Sequence, residues 1–124
     1  MKNEFTLFLM IFAHIFDDYY KQGILASMKQ KAWWKENASD AMYRFDYIAA
    51  LIAHSFSWAF MITLPIVIVH YSNLDPLAYG IALLANMVIH AIVDDLKANR
   101  KKINLIVDQS VHLVQIFVTW LCFL

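Results

Sequence analysis

Four long apolar stretches follow one another along the chain, and short polar segments separate them. They cover, approximately, residues 5–22, 47–71, 76–97 and 103–124. A helix needs about 17–25 mostly apolar residues to cross a bilayer, whereas a helix of a water-soluble bundle is polar on about half of its surface. None of the four stretches has a polar face of that width, although the first spans a bilayer only if Asp17 and Asp18 lie near the interface. The pattern predicts an all-α, polytopic membrane protein, in which residues 1–124 form a single transmembrane domain with a four-helix bundle.

The composition narrows the function classes further. Hydrophobic residues make up 61% of the chain and charged residues 16%, and there are only two Gly and two Pro. This argues against a β-sandwich and against a glycine-rich phosphate loop. Ten basic residues balance ten acidic ones, so we expect no nucleic-acid partner. The single cysteine, Cys122, excludes a disulfide framework and a cysteine-rich zinc module.

Basic residues cluster in two of the three connections between the apolar stretches. The first and third connections together contain Lys21, Lys29, Lys31, Lys35, Arg44, Lys97, Arg100, Lys101 and Lys102. Because Lys and Arg favour the cytoplasmic side of a membrane, both connections are predicted to be cytoplasmic and both termini to lie outside. In the first connection, Trp33 and Trp34 stand beside lysines, which fits either a short helix in the lipid headgroup layer or a simple surface loop.

Three pairs of histidine and aspartate stand within the apolar stretches, each with a spacing of four residues. They are His14 with Asp18, His90 with Asp94, and Asp108 with His112. Residues four apart lie on one face of a helix, one turn from each other. The reversed order in the last pair suits a helix that crosses the bilayer in the opposite direction. We therefore expect the carboxylates in one layer near the cytoplasmic face and the imidazoles about 6 Å deeper, and the second stretch adds His54 at a similar depth.

Imidazole and carboxylate are typical ligands of divalent transition metals, and helix bundles hold such ions between facing helices. The predicted cofactor is Zn²⁺, Mn²⁺ or Fe²⁺, as one or two ions, and the predicted ligands are His14, Asp18, His54, His90, Asp94, Asp108 and His112. The three paired aspartates are also the predicted catalytic residues. A structural hydrogen-bond network and an ion or proton pathway are the alternatives. Asp17 and Asp95 point about 100° around their helices and are predicted to lie at the interface or to support the ligands.

Several motifs come in an order that resembles a known family. They are HIFDDYYKQ at residues 14–22, Lys29, the isolated His54, HAIVDDLK at residues 90–97 and DQSVH at residues 108–112. Together they resemble the small bacterial and phage membrane proteins grouped as domain of unknown function 3307, and the resemblance covers essentially the whole chain. Asp17 stands where that family usually has a small residue, and Tyr19 replaces the commoner Phe.

The resemblance implies a polytopic protein of the bacterial inner membrane, often encoded by a phage, without an established reaction. It adds four polar residues as candidates for cofactor binding: Gln22, Lys29, Lys97 and Gln109. The chain also looks broadly like bacterial membrane proteins labelled metal-dependent hydrolases, which carry intramembrane His and Asp.

Three functions fit these residues. The first is a metal-dependent hydrolase in the membrane that acts on a lipid head group or another anionic substrate, because a bound metal makes hydroxide available at neutral pH. The second is a non-catalytic carrier or channel for an ion or small solute, for which a homo-oligomer would supply the missing exit path. The third is a phage-encoded membrane effector whose His/Asp network is structural. Membrane lipid is the expected partner.

Overall fold

The computed structural model describes all residues, 1–124, and every regular element in it is helical. Helix α1 continues without a break into one π-helical turn, and short 3-10 turns flank the longest helix. The elements are, in chain order, α1 (Lys2–Ile15), the π-helical turn (Phe16–Lys21), α2 (Leu25–Met28), α3 (Lys31–Asn37), a 3-10 turn (Ala41–Tyr43), α4 (Asp46–His70), a 3-10 turn (Tyr71–Asn73), α5 (Pro76–Ala98) and α6 (Leu105–Cys122). The prediction of an all-α protein is confirmed.

Three helical segments are long and apolar enough to cross a membrane: Ala41–Asn73, Pro76–Ala98 and Leu105–Cys122. They correspond to the second, third and fourth apolar stretches of the sequence. Helix α1 is not among them, because its 14 residues end in the π-helical turn, which carries two aspartates and a lysine. The structure thus contains three candidate spans, and the fourth stays a prediction.

Helix α4 lies at the centre of the fold, in contact with α1, α5 and α6. A hydrophobic core joins α1, α4 and α6, and it consists of Met10, Trp58, Ala59, Ile62, Ile66 and Ile116. Most of the remaining interior is polar, since polar and charged residues outnumber hydrophobic ones among the 26 buried residues. Large apolar side chains such as Phe8 and Ile106 are exposed instead. An exposed apolar surface of this extent indicates contact with lipid or with another apolar partner.

Local signals explain where the long helices begin and end. Asp75 accepts a hydrogen bond from the backbone N–H of Leu77 and is followed by Pro76, so α5 begins there. Asn104 caps α6 in the same way through the N–H of Val107. The end of α1 differs, because a π-helical turn replaces the cap. Such turns are rare and occur frequently at functional sites, and this one buries both Asp17 and Asp18.

The connection between α1 and α4 is held against the end of α5. The side-chain oxygen of Asn99 accepts a hydrogen bond from the backbone N–H of Lys31 at 2.8 Å, and its Nδ2 donates to the carbonyl oxygen of Lys29 at 3.0 Å. The two short helices α2 and α3 agree with the helical alternative for this connection and not with a simple loop. As a result of these contacts, the Lys29 side chain is buried.

Candidate metal centre

The seven predicted metal ligands all lie inside the protein, and none of them is more than 7% exposed. They come from α1 and its π-helical turn, from α4, from α5 and from α6. Their contacts agree with the predicted layers. The rings of His90 and His112 stack with 4.2 Å between their centroids, and the Gln109 amide donates to carboxylates of both Asp18 and Asp108. The spacing of four residues therefore identified side chains that meet in the folded protein.

Three overlapping groups of these residues have the geometry of a metal site. In each group every residue offers one ligand atom, and these atoms lie within 4.8 Å of one another. The groups are Asp18 with His54 and His90, His90 with Asp94 and His112, and Asp18 with Asp108 and His112. Because any two groups share a residue, they form one connected cluster, which we call the His/Asp cluster.

The Nε2 atom of His54 faces several hydrogen-bond acceptors at once. It lies 3.3 Å from a carboxylate oxygen of Asp18, 3.3 Å from one of Asp94, and 3.1 Å from Nε2 of His90. A single N–H makes a well-aligned hydrogen bond to only one of these three atoms. A divalent cation, in contrast, is attracted by all of them.

His112 presents a nitrogen lone pair to a carboxylate. The Nε2 of Gln115 donates to the backbone oxygen and to Oδ1 of Asn86, both at 3.2 Å, and this turns its Oε1 towards Nδ1 of His112 at 3.1 Å. In the neutral ring, Nδ1 then carries the hydrogen and Nε2 the lone pair. Nε2 lies 3.3 Å from Oδ1 of Asp108, and neither atom has a hydrogen-bond partner, nor has Oδ1 of Asp94. Unpaired buried acceptors of this kind are what a cation would bind.

His14 differs from the other three histidines. Its Nδ1 accepts a hydrogen bond from the indole N–H of Trp58 at 2.8 Å, so its Nε2 donates to Oε1 of Gln109 at 3.0 Å. Both ring nitrogens have protein partners, and His14 belongs to none of the three groups. Gln109 in turn donates to carboxylate oxygens of Asp18 and Asp108, at 2.9 Å each. His14 therefore orients Gln109 and offers no free nitrogen.

The residues that the family resemblance added lie at the polar end of the His/Asp cluster. Nζ of Lys29 donates to Oδ2 of Asp94 at 2.7 Å and also to the side-chain oxygen of Gln22. Nζ of Lys97 donates to Oδ2 of Asp108 at 2.8 Å and lies 3.7 Å from Asp94. Lys29 and Lys97 thus contact the carboxylates directly, as Gln109 does, whereas the Gln22 side chain reaches them through Lys29.

Two residues that the sequence reasoning missed shape the cluster from the apolar side. Trp58 is fully buried, and its ring stacks on His90 with 4.1 Å between centroids. Gln115 fixes the tautomer of His112, as described above. Residue spacing is the sequence signal that could have found both residues. Trp58 follows His54 by four residues and Gln115 follows His112 by three, so each lies on the same helix face as a predicted ligand.

Asp17, for which the sequence predicts a position either at the interface or in support of the ligands, is buried beside the cluster. Its Oδ1 accepts a hydrogen bond from the hydroxyl of Ser57 at 2.7 Å, and this contact joins the π-helical turn to α4. Asp95, the corresponding neighbour on α5, lies nearer the surface and accepts hydrogen bonds from Asn99 and Arg100. No sequence signal marks the π-helical turn that turns Asp17 inwards.

No family model matches this chain, and no curated protein or solved structure is significantly similar to it. The resemblance to domain of unknown function 3307 therefore stays a prediction. Function has to be inferred from the side chains themselves, because a fold alone does not determine it.

Proposed function

We propose that this protein is a membrane-embedded hydrolase that uses one divalent transition-metal ion, Zn²⁺, Mn²⁺ or Fe²⁺, bound in the His/Asp cluster. The observation that carries the proposal is the set of buried acceptor atoms that have no hydrogen to share while the histidine rings are neutral, above all Nε2 of His112 and Oδ1 of Asp108. Two ligands at about 2.0–2.1 Å from a tetrahedral ion lie about 3.3–3.4 Å apart. The distances from His112 to Asp108, and from His54 to Asp18 and Asp94, are all 3.3 Å.

The charges of the buried groups favour one ion over two. The interior contains four carboxylates, those of Asp17, Asp18, Asp94 and Asp108. The ammonium groups of Lys29 and Lys97 balance two of these negative charges, which leaves two while the histidines are neutral. One divalent ion would neutralise the interior, whereas a second would leave an excess of two positive charges, and unpaired buried charge is costly.

The protein supplies the groups that a hydrolysis needs around such an ion. When bound, the ion would lower the pKa of a water molecule towards 7. Asp94 keeps its carboxylate oxygen Oδ1 without a hydrogen-bond partner, and this oxygen can take the proton of the attacking water and pass it to the leaving oxygen. Water is thereby added across one ester bond. Lys29 and Lys97 lie at the carboxylates of Asp94 and Asp108 and would bind the anionic part of the substrate.

The routes to the cluster favour a substrate that arrives from the lipid. The connection between α1 and α4 covers the polar end, where Lys29 is only 5% exposed. On the side, a groove of about 640 Å³ between α1 and α6 passes over His14 and Gln109. Its remaining walls are apolar or aromatic: Ile11, Ile15, Tyr19, Tyr20 and Leu113. The apolar walls suit an acyl chain, and an acyl chain in this groove would place its lipid head group near Gln109. The shape and lining of the groove therefore support a lipid substrate.

In this proposal, α1 and its π-helical turn form a fourth span of a bacterial inner membrane. Their 14 and 6 residues give about 30 Å at 1.5 Å per residue, which matches the hydrocarbon thickness. The carboxylates of the π-helical turn face inwards, while Phe16, Tyr19 and Tyr20 are exposed on its outer side. Both basic connections would be cytoplasmic and both termini outside.

Hydrolysis is tested with protein purified in detergent, loaded with metal and incubated with phospholipids of defined head group. Products are quantified by mass spectrometry for the wild type, for His112→Ala and for the control His70→Ala. His70 is a suitable control because it is the last residue of α4, sixteen positions after the cluster residue His54, and does not belong to the cluster. We expect metal-dependent product from the wild type and the control and none from His112→Ala. Bound metal without product from any phospholipid or other anionic ester would contradict the hydrolase and retain the metal site.

A carrier or channel is the second candidate, because one observation favours it. Buried polar side chains continue from His112 away from the basic end of the bundle, through Gln115, Asn86 and Thr119. Gln115 donates to Asn86, and Asn86 donates to the Thr119 hydroxyl at 2.8 Å. Thr119 lies seven residues beyond His112, about 10 Å along α6. Zn²⁺ or Mn²⁺ flux into proteoliposomes, abolished by Asp94→Asn, would favour this function over hydrolysis.

A further inference from the structure

A second cavity lies in the connection between α1 and α4, apart from the His/Asp cluster. It has a volume of about 400 Å³ and lies where α3, the following turn and the first turn of α4 meet. Three basic residues, Lys31, Lys35 and Arg44, line it together with one acidic residue, Asp40. In a chain with no net charge, this cavity therefore concentrates positive charge.

The three basic side chains are not paired with Asp40, the one acidic residue that lines the cavity. Lys31 and Lys35 are four residues apart on α3 and thus neighbours on one helix face, where like charges repel each other. Neither of them forms an ion pair, and neither does Arg44, although Lys29, Lys97 and Arg100 do. An anion in the cavity would relieve this repulsion.

Aromatic rings form the other part of the cavity wall. Trp34 and Tyr43 stack with 6.3 Å between centroids and 20° between planes, and the indole N–H of Trp34 is anchored to the carbonyl oxygen of Met28 at 2.6 Å. The Tyr47 ring lies 5.0 Å from Nζ of Lys31. Trp and Tyr are enriched where a membrane meets water, and the cavity stands at the start of the candidate span Ala41–Asn73. This position fits a cavity at the depth of lipid head groups.

We propose that this cavity binds the phosphate head group of an anionic phospholipid. Arg44 and the two lysines would hold the phosphate by charge-assisted hydrogen bonds, and the glycerol and upper acyl chains would lie against Trp34 and Tyr43. The site is separate from the proposed hydrolase centre, because Tyr47 precedes His54 by two helical turns, about 10 Å. It needs no metal and holds a lipid whether or not that lipid is a substrate. Inorganic phosphate shares the charge of the head group but gains nothing from the aromatic walls.

Native mass spectrometry of the full chain in detergent tests the site with phosphatidylglycerol and phosphatidylcholine of identical acyl chains. We expect one phosphatidylglycerol molecule to bind in clear preference to phosphatidylcholine. Each basic residue near an anionic membrane surface contributes roughly fivefold to binding, so the double variant Lys31→Gln/Lys35→Gln should bind about 25-fold more weakly. The matched control is Lys101→Gln/Lys102→Gln, which makes the same charge change at two exposed lysines of the other basic connection that do not line this cavity.

Three results would overturn the site: equal binding of the two lipids, an equal loss in both double variants, or displacement of phosphatidylglycerol by inorganic phosphate. The last result would make the cavity a site for soluble anions. The metal content and circular dichroism of the Lys31→Gln/Lys35→Gln variant are measured in parallel. Both should match the wild type, and Arg44→Gln serves as the second variant if the double variant does not fold.

Discussion

The buried ion pair between Lys29 and Asp94 tests how the first connection closes the His/Asp cluster. The two residues are 65 positions apart in the chain, yet Nζ lies 2.7 Å from Oδ2, and the side chains are 6% and 0% exposed. Asp94→Asn would leave the Lys29 ammonium group in the interior without its nearest counter-charge. Removing one partner of a buried pair costs about 3–5 kcal/mol. We expect the free energy of unfolding to fall by that amount.

Unfolding in mixed detergent micelles, followed by circular dichroism with a chelator present, measures this loss without a contribution from bound metal. Asp94→Asn, Lys29→Met and the double variant form a double-mutant cycle. The double variant should recover at least half of the loss, because the buried ammonium group is then absent. The exposed Lys21 is the control, and Lys21→Met should change stability by less than about 0.5 kcal/mol. Two results would show that this ion pair does not hold the first connection over the cluster. One is strict additivity of the two single substitutions, and the other is a loss of less than about 1 kcal/mol in Asp94→Asn, as is usual for exposed pairs.

Other contacts give separate tests. His14→Ala should weaken metal binding about 10–100-fold in a chelator competition, as is usual for residues that orient ligands. One ion should still bind at saturating metal concentration. If no ion binds under that condition, His14 is itself a ligand. Asn99→Ala removes two hydrogen bonds of about 1 kcal/mol each from the first connection, so the Lys31 amide should exchange hydrogen up to about 30-fold faster by mass spectrometry. Unchanged exchange would contradict the role of Asn99. Leu113→Trp should fill the groove between α1 and α6 and slow lipid hydrolysis without loss of metal, and an unchanged rate would argue against the lateral route.

The pairing of histidine with aspartate was predictable from sequence because it depends only on helix periodicity. Helices bury faces that their residue spacing already defines, so the pairs His90 with Asp94 and Asp108 with His112 can be identified from the sequence alone. The reversed order of the last pair carried the further information that the residues share layers. The candidate spans were predictable for the same reason, since length and hydropathy are local properties.

The role of each histidine was not predictable, because it depends on partners that are distant in sequence. His14 and His90 both precede an aspartate by four residues, yet Trp58 and Gln109 occupy both nitrogens of His14, whereas His90 belongs to two of the possible ligand groups. The inward turn of Asp17 depends on a π-helical turn that no residue pattern signals. Tertiary contacts therefore decided which members of the predicted set are available to a metal.

The central claim is that the His/Asp cluster binds a divalent metal, and elemental analysis of the purified protein tests it most directly. The protein is prepared in detergent without chelator, and the metal content per chain is measured for the wild type, His112→Ala and His70→Ala. We expect about one Zn²⁺, Mn²⁺ or Fe²⁺ ion per chain in the wild type and the control, and almost none in His112→Ala with unchanged circular dichroism. A folded wild-type protein that holds no metal, even after incubation with all three ions, would contradict the claim.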